Sequence, residues 1–319
     1  MRFGTFVPQG WKMDQAGVPV AEQWPRIAAA ATTIEEVGYD SLWVYDHFHT
    51  HPVPSQESTF EAWSLMAALA TVTNRIRIGQ MCTCILYRSP ALLAKMAVSV
   101  DAMSGGRLNV GIGAGWSVGE FKGYGYRFPP AAERLDMLEE AAQVLLEMWT
   151  SDEAYFAGRH YRLDGAITRP KSLQEPYPPL WIAGTGEKRT LRIVASYGDF
   201  ANFSSDLEEF VRKSSVLAEH CEIVGRRYED IGRSVHLMAV VGRDEADLAR
   251  KLEVAGKRRS CSPEEFRSEH LAGTVTEVVD LLGRYAEAGC SDMILYFYDI
   301  GDGDSLEVVA TEVMPELRA

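Results

Sequence analysis

Apolar positions along the chain switch repeatedly between two periods, a short unbroken run and a three-to-four spacing. Phe3–Val7, Leu42–Tyr45, Arg75–Cys84, Arg107–Ile112, Leu180–Ala183, Phe200–Phe203, Val235–Val241 and Met293–Tyr298 read as strands. Between them lie helical stripes. Ile27, Ala31, Ile34 and Val37 share one face, and Gly38 follows as a stop. Phe60–Ala70 reads as a second helix. Ser89-Pro90 supplies an N-cap and a first-turn proline for a helix carrying Leu92, Leu93, Met96, Val100 and Met103. Leu135, Leu138, Ala142, Leu145 and Trp149 form a long amphipathic face. Further helices run through Leu191 and Val194, through Leu207, Phe210, Leu217, Cys221 and Val224, and onward from Asp244.

Eight such strand–helix units without an evident linker predict the α/β class and one (β/α)8 TIM barrel spanning 1–319. Two stretches exceed a minimal barrel and read as insertions, around 152–179 and 255–273. The first contains a hairpin-like Tyr155–Tyr161 segment. The second opens on Ser262-Pro263-Glu264-Glu265 and is followed by Thr274-Val275-Thr276-Glu277, both with capping-box spacing.

Composition narrows the function classes. The 319 residues carry a net charge of −13, which disfavours nucleic acid and anionic membrane surfaces as partners. No apolar run approaches the ~18 residues of a spanning helix. The first residues enter a strand at once, so a cytoplasmic protein is expected. Five scattered cysteines read as reduced thiols, and Cys82-Thr83-Cys84 reads as two small apolar residues in a strand.

Candidate chemistry gathers just past strand ends, where a parallel barrel builds its active site. The second strand stops on Asp46-His47, an acid beside a group that titrates near neutral pH. The fourth strand runs into Gly111-Ile112-Gly113-Ala114-Gly115-Trp116, which allows either close ligand approach or simply a tight turn. The fifth strand ends in Ala183-Gly184-Thr185-Gly186-Glu187 ahead of a helix, an arrangement suited to an anion, with Lys188 and Arg189 able to add charge. His47-Phe48-His49-Thr50-His51 and Asp299 admit a metal-hydrolase reading, but the fourth to sixth strands end without imidazoles. His160, His220, His236 and His270 read as structural or surface residues. A Gly-x-Ser-x-Gly elbow is absent from the sequence.

In this order and spacing, five segments resemble the bacterial luciferase-like monooxygenase superfamily, and within it the branch dependent on the deazaflavin coenzyme F420. They are Gly38–Phe48, Tyr87–Lys95, Ser104–Leu108, Gly111–Trp116 and Trp181–Glu187. The resemblance implies a luciferase-like barrel with insertions, a homodimer, and a hydride passed between coenzyme F420 and a small organic substrate. It implies His47 as general acid/base and Asp46 near the polar edge of the ring. It implies Gly113, Ala114 and Gly115 against the cofactor, and Gly184, Thr185 and Gly186 around its phosphate. A non-proline cis peptide at Cys84-Ile85 is expected to prop the ring. One departure stands out: related sugar-phosphate dehydrogenases have glutamate where Trp116 stands, and Glu120 is not an established substitute. Trp11, Trp116 and Tyr298 are candidate pocket walls. The alternatives are an FMN-dependent monooxygenase using oxygen and a flavin-binding protein without catalysis.

Overall fold

In the computed structural model, residues 1–203, 206–301 and 303–318 are described. In chain order the elements are β1 (Arg2–Phe6), α1 (Val20–Glu36), β2 (Ser41–Val44), α2 (Ala62–Val72), β3 (Arg77–Gln80), β4 (Thr83–Cys84), α3 (Pro90–Ser104) and β5 (Leu108–Gly113). There follow α4 (Val118–Gly123), α5 (Ala131–Thr150), β6 (Ala154–Ala157), β7 (Arg162–Ala166), β8 (Leu180–Ala183), α6 (Thr190–Tyr197), β9 (Phe200–Asn202) and α7 (Leu207–Val224). The chain closes with β10 (Gly232–Gly242), α8 (Glu245–Arg259), α9 (Pro263–Glu269), β11 (Leu271–Thr274), α10 (Val275–Glu287), β12 (Asp292–Phe297), α11 (Ser305–Val308) and α12 (Met314–Arg318). The fold is a (β/α)8 barrel, with β1, β2, β3, β5, β8, β9, β10 and β12 as its parallel strands. Among the described residues, no helix is long and apolar enough to cross a membrane.

The chain divides into two compact units. The first contains β1, α1 and β2 together with everything from β10 onward, in the parallel order β11-β10-β12-β1-β2. Its register sets Phe3 beside Met293 and Thr5 beside Leu42. Every residue of β2 and β12 is buried, which explains the apolar runs Leu42–Val44 and Met293–Phe297 within them. Ile27, Ala31 and Ile34 bury the inner face of α1. The helix ends because Gly38 adopts φ +94, so that the Tyr39 amide reaches back to the Ile34 carbonyl and the Gly38 amide to Glu35.

The second excursion holds more than a loop. Helix α8 runs to Arg259, α9 follows, and β11 lies parallel to β10 with Ala239 beside Leu271. Ser262 accepts the Glu265 amide, and Thr274 and Glu277 make both halves of a capping box at α10. Thr274→Ala is expected to cost about 1 kcal/mol, checked by urea denaturation, because it leaves the Glu277 amide without its side-chain acceptor.

The second unit carries the order β3-β5-β8-β9, with β4 beside β5. The third predicted strand is interrupted. It stops at Gln80 and resumes at Thr83, and the non-proline cis peptide lies at Met81–Cys82 rather than Cys84–Ile85. The reason is in the ladder: Cys84 pairs with Gly113, and the Ile85 amide donates to the Gly113 carbonyl at 3.2 Å. The bond after Cys84 therefore belongs to regular pairing, and the irregularity falls earlier. Ser89 also departs from expectation. Pro90 opens α3 as predicted, but the Ser89 side chain makes no capping bond.

The first insertion is the antiparallel hairpin β6–β7, which forms its own two-stranded sheet. The following segment is tied to α3 by Asp101, a fully buried carboxylate. It accepts from the Ser172 hydroxyl (2.7 Å), the Leu173 amide (2.8 Å) and Gln174 Nε2 (2.7 Å).

Candidate active site

In the first unit, the chain leaving β2 is held by a residue the sequence reading passed over. Gln9, buried in the turn after β1, donates through Nε2 to the Tyr45 and Phe60 carbonyls at 2.8 and 2.7 Å. Its Oε1 accepts the Tyr45 amide at 2.7 Å. A side-chain amide here substitutes for a strand partner and sets the direction in which Asp46 and His47 emerge. The sequence signal was a polar amide between Pro8 and Gly10, directly after an apolar strand. Gly10 cannot carry a side chain, since a Cβ would lie 2.0 Å from the Ser58 carbonyl oxygen. Its amide donates to Asp14, whose other carboxylate oxygen accepts the Tyr296 hydroxyl at 2.6 Å. Burial pushes the Asp14 carboxyl upward.

Asp46 is buried and His47 is partly exposed. The imidazole of His47 lies flat on the Trp11 indole, with centroids 4.0 Å apart and planes 4° from parallel. Trp11 is itself tilted against Tyr45 at 4.3 Å, and Tyr45 stacks on Phe6 at 4.1 Å. The Tyr45 hydroxyl meets Nε2 of His236 at 3.0 Å. Burial pushes His236 down to about 3, helped by the charge of Lys12, so at neutral pH its ring is uncharged. Lys12 sits 4.0 Å over the Trp11 ring, and burial lowers its ammonium to about 7.

Two other expected contributors are placed elsewhere in their roles. Tyr298 is buried against Tyr296, Phe266 and His270, at 5.1, 5.2 and 6.2 Å, and serves as packing. Asp299 is buried after β12 and accepts the Ser305 amide at 3.1 Å, which orders the turn into α11. Nδ1 of His49 lies 3.3 Å from the Thr50 carbonyl. Among the described residues, no group of three or more His, Cys, Asp and Glu could hold a metal ion.

In the second unit, the glycines of β5 have protein neighbours. A Cβ on Gly111 would lie 2.0 Å from the Gln80 carbonyl oxygen, one on Gly113 would lie 2.5 Å from Sγ of Cys82, and one on Gly115 would lie 2.6 Å from Sγ of Cys84. The alternating glycines therefore seat the interrupted β3–β4 segment, residue against residue. Cys84 and Ile85 are buried, while Ala114 and Gly115 are partly exposed. Trp116 is 59 % exposed. Glu120 is fully buried and accepts the Tyr87 hydroxyl at 3.1 Å, so it is enclosed by protein rather than standing in for the missing carboxylate.

After β8, Gly184 takes φ +147 and donates its amide to the Asn202 carbonyl at 3.0 Å. The Thr190 side chain packs beneath, 3.0 Å from where a Gly184 Cβ would be and 2.8 Å from where a Gly186 Cβ would be. Thr185 and Gly186 are exposed, and their amides have no acceptor among the described residues. Such a pair of outward amides fits an anionic group. Arg189 does not join them, because it is committed to Asp136 and to the Ala132 carbonyl on α5. Glu187 is paired with Arg212.

The family profile described as luciferase-like monooxygenase matches residues 1–274. An F420-dependent glucose-6-phosphate dehydrogenase of Amycolatopsis mediterranei is 28% identical over 94% of this chain and 97% of its own length. The pyrimidine monooxygenase RutA of Allorhizobium ampelinum is 26% identical over 78% of this chain and 70% of its own length. Among solved structures, an F420-dependent secondary alcohol dehydrogenase in complex with an F420-acetone adduct superposes with a TM-score of 0.82 at 23% identity, covering 100% of this chain and 99% of that one. That similarity shows the shared fold.

Proposed function

The chain belongs to the luciferase-like monooxygenase family, and from that premise we propose that it is a deazaflavin (coenzyme F420)-dependent oxidoreductase acting on a small organic substrate. When bound, the deazaflavin supplies two-electron hydride chemistry. The observation that carries the reading is His47 at the end of β2, adjacent to buried Asp46 and held flat on Trp11. An imidazole in a fixed plane can hold or move a proton in one direction, which is what a hydride transfer to or from a carbon–oxygen bond requires of the protein. Gln9 fixes the backbone that presents it. Asp46 is assigned to the cofactor's polar edge.

In the other unit, the reading assigns Gly184, Thr185 and Gly186 to the cofactor's anionic part, on the strength of the two unbonded amides. Ala114 and Gly115, the partly exposed members of the glycine run, are assigned to its ring together with Gly113, Cys84 and Ile85. The cysteine, Ile85 and the glycine at 113 are buried, so they would act by shaping the backbone at that point.

Titration of the chain with coenzyme F420 and, separately, with FMN, followed by absorbance and fluorescence, tests the reading. Tighter binding of the deazaflavin is the expected result. Preference for FMN, with oxygen consumed during turnover, overturns it in favour of the monooxygenase chemistry named for the RutA relative.

A further inference from the structure

Lys12 is a buried cation that nothing in the proposed mechanism uses. It follows β1 by a short turn and is 5% exposed. Its ammonium makes no hydrogen bond or ion pair among the described residues, and it lies over the Trp11 ring at 4.0 Å. The acid that acts on it, Asp14, is committed to the Gly10 amide and the Tyr296 hydroxyl. A cation–π contact offsets only part of the cost of withdrawing an ammonium from water.

The same neighbourhood holds a second polar atom without a partner. Nε2 of His270 is buried and unbonded, with its ring packed on Phe266 at 4.6 Å. Arg259 acts on both groups, and Lys12 acts on His270 and His236. Facing them, Glu269 is 4.0 Å from Arg259, and Asp14 is engaged as described. Basic groups from β10, from the end of α8, from the residue after α9 and from the β1 turn thus share one region. The two acids there leave the Lys12 ammonium and Nε2 of His270 without a hydrogen bond.

We propose that Lys12 and His270, under the positive field of Arg259, form a recognition site for a carboxylate on the substrate. Two donors, the Lys12 ammonium and a His270 ring that takes up a proton at Nε2, suit a planar monoanion with two oxygens, whereas a phosphate dianion needs more donors than these. The anion would lie against the Lys12 amine and Nε2 of His270, which have no hydrogen-bond partner, and Trp11 would link its position to His47 through the shared ring stack. The substrate assignment rests on the proposed oxidoreductase reading, while the anion site itself stands without it.

Calorimetric titration of the full-length chain with benzoate at pH 8, in two buffers of different ionisation enthalpy, tests the site. Burial holds Lys12 near 7, so at pH 8 most of it is neutral, and a bound anion draws a proton onto it. The expected result is binding with net proton uptake. Lys12→Met should weaken it at least about 10-fold and lower the uptake, while Lys12→Arg should retain binding with the same lowered uptake, the remainder belonging to His270. Thermal melts establish that each variant is folded, and Lys12→Gln repeats the test should the methionine variant not fold. Absent benzoate binding, an unchanged affinity in Lys12→Met, or tighter binding of inorganic phosphate than of benzoate would each overturn the proposal. Coenzyme F420 titration of Lys12→Met separates the anion's source: unchanged affinity assigns the carboxylate to the substrate, and weakened affinity assigns it to the cofactor and overturns the substrate claim. A protein that binds benzoate with proton uptake but no deazaflavin would keep this site and lose the hydride-transfer reading.

Discussion

His47→Ala is expected to lower kcat by about 10²- to 10⁴-fold, the range over which a positioned general acid or base accelerates proton transfer. Stability should fall far less, because the substitution removes a ring stacked on Trp11 at 4.0 Å, a contact on the order of 1 kcal/mol. His47→Phe separates the two contributions. A phenyl ring can keep the stack but cannot carry a proton, so this variant should melt near the parent temperature and be as inactive as the alanine variant. Steady-state kinetics on a substrate identified by screening, paired with thermal denaturation, reads both. A His47→Phe variant turning over at the parent rate would sink the proton role and leave His47 as packing for Trp11. Binding of coenzyme F420 should change little in either variant, since the histidine is assigned to the proton and not to the cofactor's anchorage.

Gly111→Ala is expected to be the most destabilising single-methyl change in the second unit, at about 3 kcal/mol or more. The new Cβ would lie 2.0 Å from the Gln80 carbonyl oxygen, a backbone atom at the end of β3 that cannot rotate aside. Gly113→Ala should be milder, about 1–2 kcal/mol, because the obstacle there is Sγ of Cys82, 2.5 Å from the new carbon. Removing that obstacle in the double variant Gly113→Ala with Cys82→Ala should recover most of the loss. Urea denaturation midpoints of the three proteins measure this directly. If Gly113→Ala were as stable as the parent, or the double variant no better than the single one, the glycines would be there for a ligand and not for the neighbouring strand.

These two expectations draw on different kinds of information. That Asp46-His47 ends a strand was legible from Leu42–Tyr45, because a strand buried on both faces is largely apolar and a polar pair marks where it emerges. The helix stop at Gly38 and the capping box at Thr274–Glu277 were legible for a similar reason: the partners lie within one helical turn, so spacing alone determines whether they meet. Leu180–Ala183 was placed residue for residue, and Phe200 and Cys84 also bound their strands as expected, while most other strand ends shifted by one or a few positions, as they do when a neighbouring strand decides the last hydrogen bond.

What lay beyond reach of the sequence depended on contacts between distant segments. Gly111, Gly113 and Gly115 suggested an approaching ligand, and the structure fills their Cβ positions with Gln80, Cys82 and Cys84, some thirty residues away. The cis peptide moved to Met81–Cys82 because the β4–β5 register, not local composition, decides where the interruption falls. Gln9 gained its role only when Tyr45 and Phe60 came within 2.8 Å of its amide. Ser89 had the chemistry of a cap without the geometry, and Tyr298 the chemistry of a pocket wall without the exposure. Periodicity and short-range spacing are written along one chain and therefore determined the class of fold and the strand end that bears His47. Burial, pairing and the charge of Lys12 are properties of several segments at once, and only their packing together decided them.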